Sequence, residues 1–244
     1  MSKLASAFTS PEQKRRHVRR LFSTIADRYD LITVLLSWGR DRAWKRRLIR
    51  EGGVRAGDHV VDLACGTGDI AWLAARAGAT VTGLDITLRM IELARRKATA
   101  GANGEPSPIA RFAVADMMSL PLPDSTVDVV TTGYGLRNVP ALGEAIDEIA
   151  RVLRPGGRLA SLDFNRPQAA AIRWPYLAYL TVVGSVLGWV LHRDPDTYRY
   201  IPESLRRYPG ARGVAAMLRA RGFTDVRVVP ILGGLMTIHV ATRR

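Results

Sequence analysis

Between residues 59 and 164 the apolar positions fall into short β-branched runs, separated by stretches in which they recur at helical spacing. This alternation predicts a doubly wound sheet with helices on its faces. The runs at 59–64, 80–84, 109–115, 127–133 and 158–164 are expected to be strands, with helices at 70–77, 88–99 and 142–153 between them. Arg154-Pro155-Gly156-Gly157 follows the last of these helices, and a proline and glycines just beyond the final apolar residue are a helix stop. After Phe164 the alternation lapses. Residues 166–208 form a long aromatic-rich insertion, 211–221 has a helical pattern, and 224–230 with 235–242 are two strands around Gly233-Gly234, a hairpin. Residues 1–58 are helical in pattern and basic, and they precede the first strand, a place from which they can fold over the sheet edge or its ligand crevice. Residues 101–108 are expected to be a surface loop. The expected fold is α/β: a Rossmann-like, mostly parallel seven-stranded sheet with a C-terminal antiparallel hairpin and a helical N-terminal extension.

Composition narrows the function classes. The 244 residues include 36 Lys plus Arg against 22 Asp plus Glu, a formal charge of +14. A single cysteine, Cys65, excludes an intrachain disulfide framework and a cysteine-clustered zinc site. His17, His59, His192 and His239 share no ligand spacing, so no metal is expected. The first 20 residues lack the apolar stretch of a secretory signal, and a cytoplasmic protein is expected. The longest uncharged run, 174–191, is borderline for spanning a bilayer; with Trp174, Tyr176, Tyr179 and Trp189 near its ends, it suits equally an interfacial helix or the wall of an apolar pocket.

The chemistry concentrates after the first strand. Val60-Val61-Asp62-Leu63-Ala64-Cys65-Gly66-Thr67-Gly68-Asp69 puts an apolar strand before a glycine turn that opens a helix, the way open sheets aim backbone N–H groups at a ligand. Gly66-x-Gly68-x-x-Ala71 also satisfies a dinucleotide fingerprint, and Asp85, 17 residues after Gly68, suits the ribose of any nucleoside. Asp62 inside the strand is a poor neighbour for a pyrophosphate and a tolerable one for a ligand carrying an amino group and a sulfonium. Asp116, ending the third strand, is placed to accept from an exocyclic amine while the Met117 N–H donates to a ring nitrogen.

At this point the chain resembles the class I S-adenosylmethionine-dependent methyltransferases, and among them the ubiquinone/menaquinone biosynthesis C-methyltransferases. The narrower likeness rests on Phe22-Ser23-x-Ile25-Ala26-x-Arg28-Tyr29-Asp30-Leu31, Trp44-Lys45-Arg46, Gly135-Leu136-Arg137-Asn138-Val139, Leu153-Arg154-Pro155-Gly156-Gly157 and Tyr198-Arg199-Tyr200-x-x-Glu203-Ser204-x-Arg206. The resemblance implies S-adenosyl-L-methionine as cofactor, with Thr67, Asp85, Asp116, Met117 and Gly133 at contacting positions beside Asp62, Gly66 and Gly68. It implies C-methylation of a prenylated benzoquinol or naphthoquinol ring by a domain at 59–244, whose insertion at about 166–208 receives the acceptor.

Arg137 and Asn138 follow the fourth strand, where loops overhang the crevice, and are expected to stabilise and orient an ionising ring hydroxyl; Asp163, ending the fifth strand, is a weaker candidate for the base. Residues 174–191 with Tyr198 and Tyr200 are the expected walls of a channel for a prenyl tail. The runner-up is an O- or N-methyltransferase acting on a soluble metabolite. The partners expected are a lipid-soluble quinol and an anionic membrane at whose inner face the basic runs 14–20 and 40–50 attach the protein peripherally; the sequence leaves the oligomeric state open, a homodimer being one option, and nucleic acid is not expected, because few aromatics interleave with the basic runs.

Overall fold

The structure, a computed structural model, describes residues 8–100 and 110–244. Its strands are β1 (His59–Leu63), β2 (Thr80–Asp85), β3 (Ala110–Val114), β4 (Val127–Gly133), β5 (Leu153–Phe164), β6 (Phe223–Ile231) and β7 (Met236–Arg243). Among the described residues these seven form one sheet in the order β3-β2-β1-β4-β5-β7-β6. The first five run parallel, and β7 is antiparallel to both β5 and β6. Chain direction across the sheet reverses between β1 and β4, so the crevice of a doubly wound fold opens at their carboxyl ends. Val60, Val61, Leu63, Val127, Val129 and Val130 are fully buried, which is why the central strands read as near-continuous apolar runs. The predicted loop at 101–108 and the first residue of the predicted strand at 109 lie outside the described residues.

Helices cover both faces: α1 (Pro11–Ile25), α2 (Tyr29–Leu36), α3 (Asp41–Glu51), α4 (Asp69–Arg76), α5 (Leu88–Ala100), α6 (Leu142–Val152), α7 (Ala170–His192), α8 (Asp196–Arg207) and α9 (Gly210–Ala220). Ser10 caps α1 by accepting the Gln13 N–H, and Pro11 occupies the first turn, where its missing donor costs nothing. α3 lies directly on the sheet: Leu48 and Ile49 join the core with Val60 and Ile70, and a Cβ on Gly52 would stand 2.8 Å from the Ala160 methyl.

Two segments differ from expectation. β5 begins at Leu153 rather than at 158, because Leu153 pairs with Val127 before residues 154–157 bulge out and pairing resumes between Val129 and Arg158. The glycines that signal a helix stop build this bulge, with Gly156 left-handed at φ 77°. The aromatic-rich insertion is two packed helices, α7 and α8. Their close approach needs glycine, since a Cβ on Gly188 would lie 2.5 Å from the Asp194 carbonyl oxygen and one on Gly184 3.0 Å from that of Tyr198. By length and composition α7 is long and apolar enough to cross a membrane.

Candidate active site

The turn after β1 shapes the crevice. Ala64, Gly66 and Gly68 are all left-handed, the Cys65 N–H is tied to the Leu84 carbonyl of β2 at 3.0 Å, and Gly68 caps α4. A Cβ on Gly68 would press on the Phe112 ring at 3.0 Å. Asp85 ends β2 with its carboxylate over this turn, accepting the Gly66 N–H at 2.9 Å and the Thr87 N–H at 2.8 Å. Burial pushes this carboxyl up against the two N–H groups that pull it down. Two hydrogen bonds leave an ionised carboxylate with acceptor positions to spare, which suits a vicinal diol.

Asp116 and Met117 stand beside the end of β3. The Met118 N–H donates to Asp116 Oδ1 at 2.9 Å, and Arg15, reaching down from α1, pairs with Oδ2 at 2.9 Å. Met117 and Asp116 line one recess of the crevice, and Asp85, Gly66 and Gly133 line the other; Val18, Ala64, Ile86 and Asn138 border both, so the two recesses are one trough under α1. Glycines form its floor: a Cβ on Gly133 would meet Ile70 at 2.5 Å, and one on Gly135 would meet the Thr132 hydroxyl at 2.4 Å. A trough of this kind, with an acid at one end for a diol and another for an amine, fits S-adenosylmethionine.

Asp62 and Thr67 point elsewhere. Asp62 is fully buried, taking the Ala71 N–H at 3.1 Å and the Thr131 hydroxyl at 2.8 Å, so it anchors the first turn of α4 to β4; burial pushes its carboxyl up to about 7. The Thr67 hydroxyl donates to Asp30 at 2.6 Å and accepts from Lys97 at 3.0 Å, tying the turn to α2 and α5.

A short helical turn, Leu136–Asn138, follows β4 and buries Arg137 and Asn138. Arg137 Nε lies 3.0 Å from Asp163 Oδ1, its backbone N–H donates to Oδ2 at 3.2 Å, and Nη1 donates to Asn138 Oδ1 at 3.0 Å. Asn138 is itself held by the Tyr134 carbonyl at 2.7 Å. The Phe164 N–H also donates to Asp163 at 2.8 Å, so this buried acid serves as the counter-ion that orients Arg137. From α1, Lys14 Nζ donates to the carbonyls of Arg137 and Val139; burial, with Arg137 nearby, lowers its pKa to about 8.

Beyond Arg137 opens an apolar cavity of about 230 Å³. Phe22, Ile25 and Tyr29 enclose it from the N-terminal side, Tyr176 and Leu180 of α7 and Tyr198 and Tyr200 of α8 from the other, and Arg137 brings the guanidinium to its wall. Phe22, Tyr29 and Tyr134 border both cavity and trough. The buried Tyr200 hydroxyl has no partner among the described residues. Tyr134 is left-handed at φ 61°, an uncommon conformation for a bulky residue, and its hydroxyl donates to Asp41 at 2.7 Å. Sequence reasoning missed Tyr134 and Asp41; the one signal was an aromatic residue set between two glycines, Gly133 and Gly135. Among the described residues no group of three His, Cys, Asp or Glu side chains is arranged to hold a metal ion.

Comparison with known proteins agrees with this architecture. Residues 9–243 match the ubiE/COQ5 methyltransferase family. The chain is 38% identical over 231 residues to the ubiquinone/menaquinone biosynthesis C-methyltransferase UbiE of Rubrivivax gelatinosus, covering 95% of this chain and 88% of that one. It is 41% identical over 225 residues to the demethylmenaquinone methyltransferase of Thermus thermophilus, covering 91% and 100%. Among solved structures, a Thermotoga maritima SAM-dependent methyltransferase, described as a possible histamine N-methyltransferase, shares the fold with a TM-score of 0.65 at 15% identity, over 93% of this chain and 100% of that one.

Proposed function

The chain belongs to the ubiE/COQ5 methyltransferase family, and from that premise we propose that it methylates a ring carbon of a prenylated benzoquinol or naphthoquinol. The observation that carries this reading is the junction of trough and cavity: a trough with Asp85 at one end and Asp116 at the other opens onto an aromatic-lined cavity whose wall carries the guanidinium of Arg137. A soluble polar metabolite would leave those apolar walls without a partner.

S-adenosylmethionine, when bound, supplies a methyl group already activated by its sulfonium. Asp85 holds the ribose diol, Asp116 and the Met117 N–H hold the adenine edge, and the glycines at 66 and 133 let the backbone approach. Catalysis by the protein is then alignment of the acceptor carbon and exclusion of water. Arg137 favours ionisation of the ring hydroxyl beside the reacting carbon, because a fixed cation in an apolar cavity stabilises the developing phenolate far more than water-screened charge would. Asp163 and Asn138 fix the plane of the guanidinium. The walls from α2, α7 and α8 take the prenyl tail.

A lipid-soluble acceptor places the enzyme at a membrane surface. Trp38, Trp174 and Trp189 are 79%, 63% and 61% exposed, and α1 carries a basic run. Those exposed aromatics and that basic helix support peripheral attachment to an anionic bilayer, by insertion of the former and attraction of the latter.

The test is an anaerobic assay of the purified protein with a short-chain demethylmenaquinol and a short-chain ring-demethylated ubiquinol. Mass spectrometry is expected to find one added methyl on a ring carbon. Methyl transfer to oxygen, or to polar phenols only, would overturn the reading.

A further inference from the structure

Methylation of an aromatic carbon releases one proton, and Arg137, Asn138 and Asp163 do not account for it. A guanidinium carries donors only, so Arg137 accepts nothing. Asp163 is committed to Arg137 and the Phe164 N–H, and no histidine lines the cavity among the described residues.

A path for the proton starts at Tyr134. Its hydroxyl donates to Asp41 Oδ1 at 2.7 Å; Asp41 Oδ2 is 2.5 Å from Lys45 Nζ, and Lys45 is 2.9 Å from Asp69 Oδ2. Asp69 in turn meets Lys97 at 3.2 Å, and Lys97 meets Asp30 at 2.5 Å. Exposure rises along this chain, from 8% for the Asp41 side chain to 39% for Asp69 and 47% for Asp30. Asp41 borders two spaces at once: the apolar cavity, and on its other side a polar recess of about 290 Å³ lined by Asp30, Arg42, Lys45, Asp69 and Arg76. The unfavourable left-handed backbone of Tyr134 is what turns its ring between cavity and acid, and strain of that kind collects where geometry is used.

We propose that Asp41, reached through the Tyr134 hydroxyl, is the proton acceptor of the methyl transfer, and that the polar recess is where the proton leaves the protein. The proposal rests on the quinol reading above. The acceptor's O–H bond breaks and its proton passes to Tyr134 Oη as Tyr134 gives its own to Asp41 Oδ1. The phenolate's electron pair, delocalised to the ring carbon, forms the new C–C bond while the methyl–sulfur bond breaks and leaves its pair on sulfur. As aromaticity returns the ring C–H proton is transferred to the ring oxygen that ionised first and restores its hydroxyl, so the one proton released is the one held on Asp41 and handed to water in the recess. When Asp41 is neutralised Lys45 keeps Asp69 as counter-ion, so no buried charge is stranded. The two carboxylates hold Lys45 above its ordinary range, against burial, so it remains a cation throughout.

The groups facing Asp41 are Lys45 on α3, Asp69 on α4, Tyr29 on α2, Tyr134 after β4 and Arg42 at the recess. The test compares wild type, Asp41→Asn, Tyr134→Phe and Asp41→Glu in the anaerobic assay with short-chain demethylmenaquinol, across a pH series. In Asp41→Asn and Tyr134→Phe kcat is expected to fall about a hundredfold at and below neutral pH and to recover as pH rises, with KM unchanged. Asp41→Glu restores much of the rate. Melting curves of the folded variants separate this from unfolding, and Tyr134→Phe, which removes only a hydroxyl, keeps the test intact if Asp41→Asn fails to fold. Wild-type kcat and pH dependence in Tyr134→Phe would overturn the relay while leaving the quinol reading standing; failure of the wild-type chain to methylate any quinol would overturn both.

Discussion

Asp85 and Arg137 hold different partners and should fail differently. Replacing Asp85 with Ala removes the acceptor for a ribose diol and releases the Gly66 and Thr87 N–H groups. Titration calorimetry with S-adenosylhomocysteine should find about 3 kcal/mol of binding lost, the worth of two hydrogen bonds to a charged group. Arg137→Ala should instead lower kcat about a hundredfold with that affinity retained, since its effect is on charge that develops only during reaction. Asp62 has a pH signature. Its folded pKa, about 7, stands above the unfolded carboxyl value, so the folded state holds the proton more tightly. Its contribution is therefore complete below the unfolded pKa and is lost as pH rises through about 7. Melting temperatures of wild type relative to Asp62→Asn should fall across that window and level off above it; a constant difference would show that Asp62 does not titrate there. The glycine turn beneath Asp85 was legible because glycines and an acid at fixed spacing have few other uses. Lys45 and Asp41 were not: in the sequence they belong to a basic run that reads as a solvated face, and only folding buries them against Asp69.

α7 shows how an element can be located by its sequence and still not be oriented. The apolar run at 174–191 lies wholly inside the helix Ala170–His192, but apolar residues occur all round it, so helical periodicity cannot say which side faces the protein. Folding divides it: Leu177, Leu180, Gly184 and Gly188 are buried, while Val182, Val186 and Trp189 are exposed. The two glycines carried the missing information, because close packing against α8 uses the face they define. Gly188→Ala should cost about 1–3 kcal/mol by overpacking, read as a lower melting temperature. Serine or alanine at the exposed Val186 should leave the melting temperature within a degree or so. By contrast, β1 and β4 were found from sequence with boundaries within a residue, since strands buried on both faces leave an unbroken apolar signature.

Charge and apolar surface act together only at the scale of the whole molecule. A chain of +14 with exposed tryptophans on α7 and just beyond α2 is expected to bind anionic liposomes in two components, one removed by salt and one resistant to it. Sedimentation across a salt series separates them: equal binding to neutral liposomes would remove the electrostatic part, and full release at high salt the inserted part. The overall architecture was legible because five strands alternate with helices, but the place of β7 between β5 and β6 is set by long-range pairing that no local pattern encodes. That placement governs how the protein is made. β7 is synthesised after both strands it joins, so a nascent chain that has emerged as far as α9 carries an unpaired β5 edge, and its cavity still lacks Leu235 and Met236. The sheet closes only when residues 236–243 leave the ribosome, and until then that edge is the natural place for a chaperone to bind.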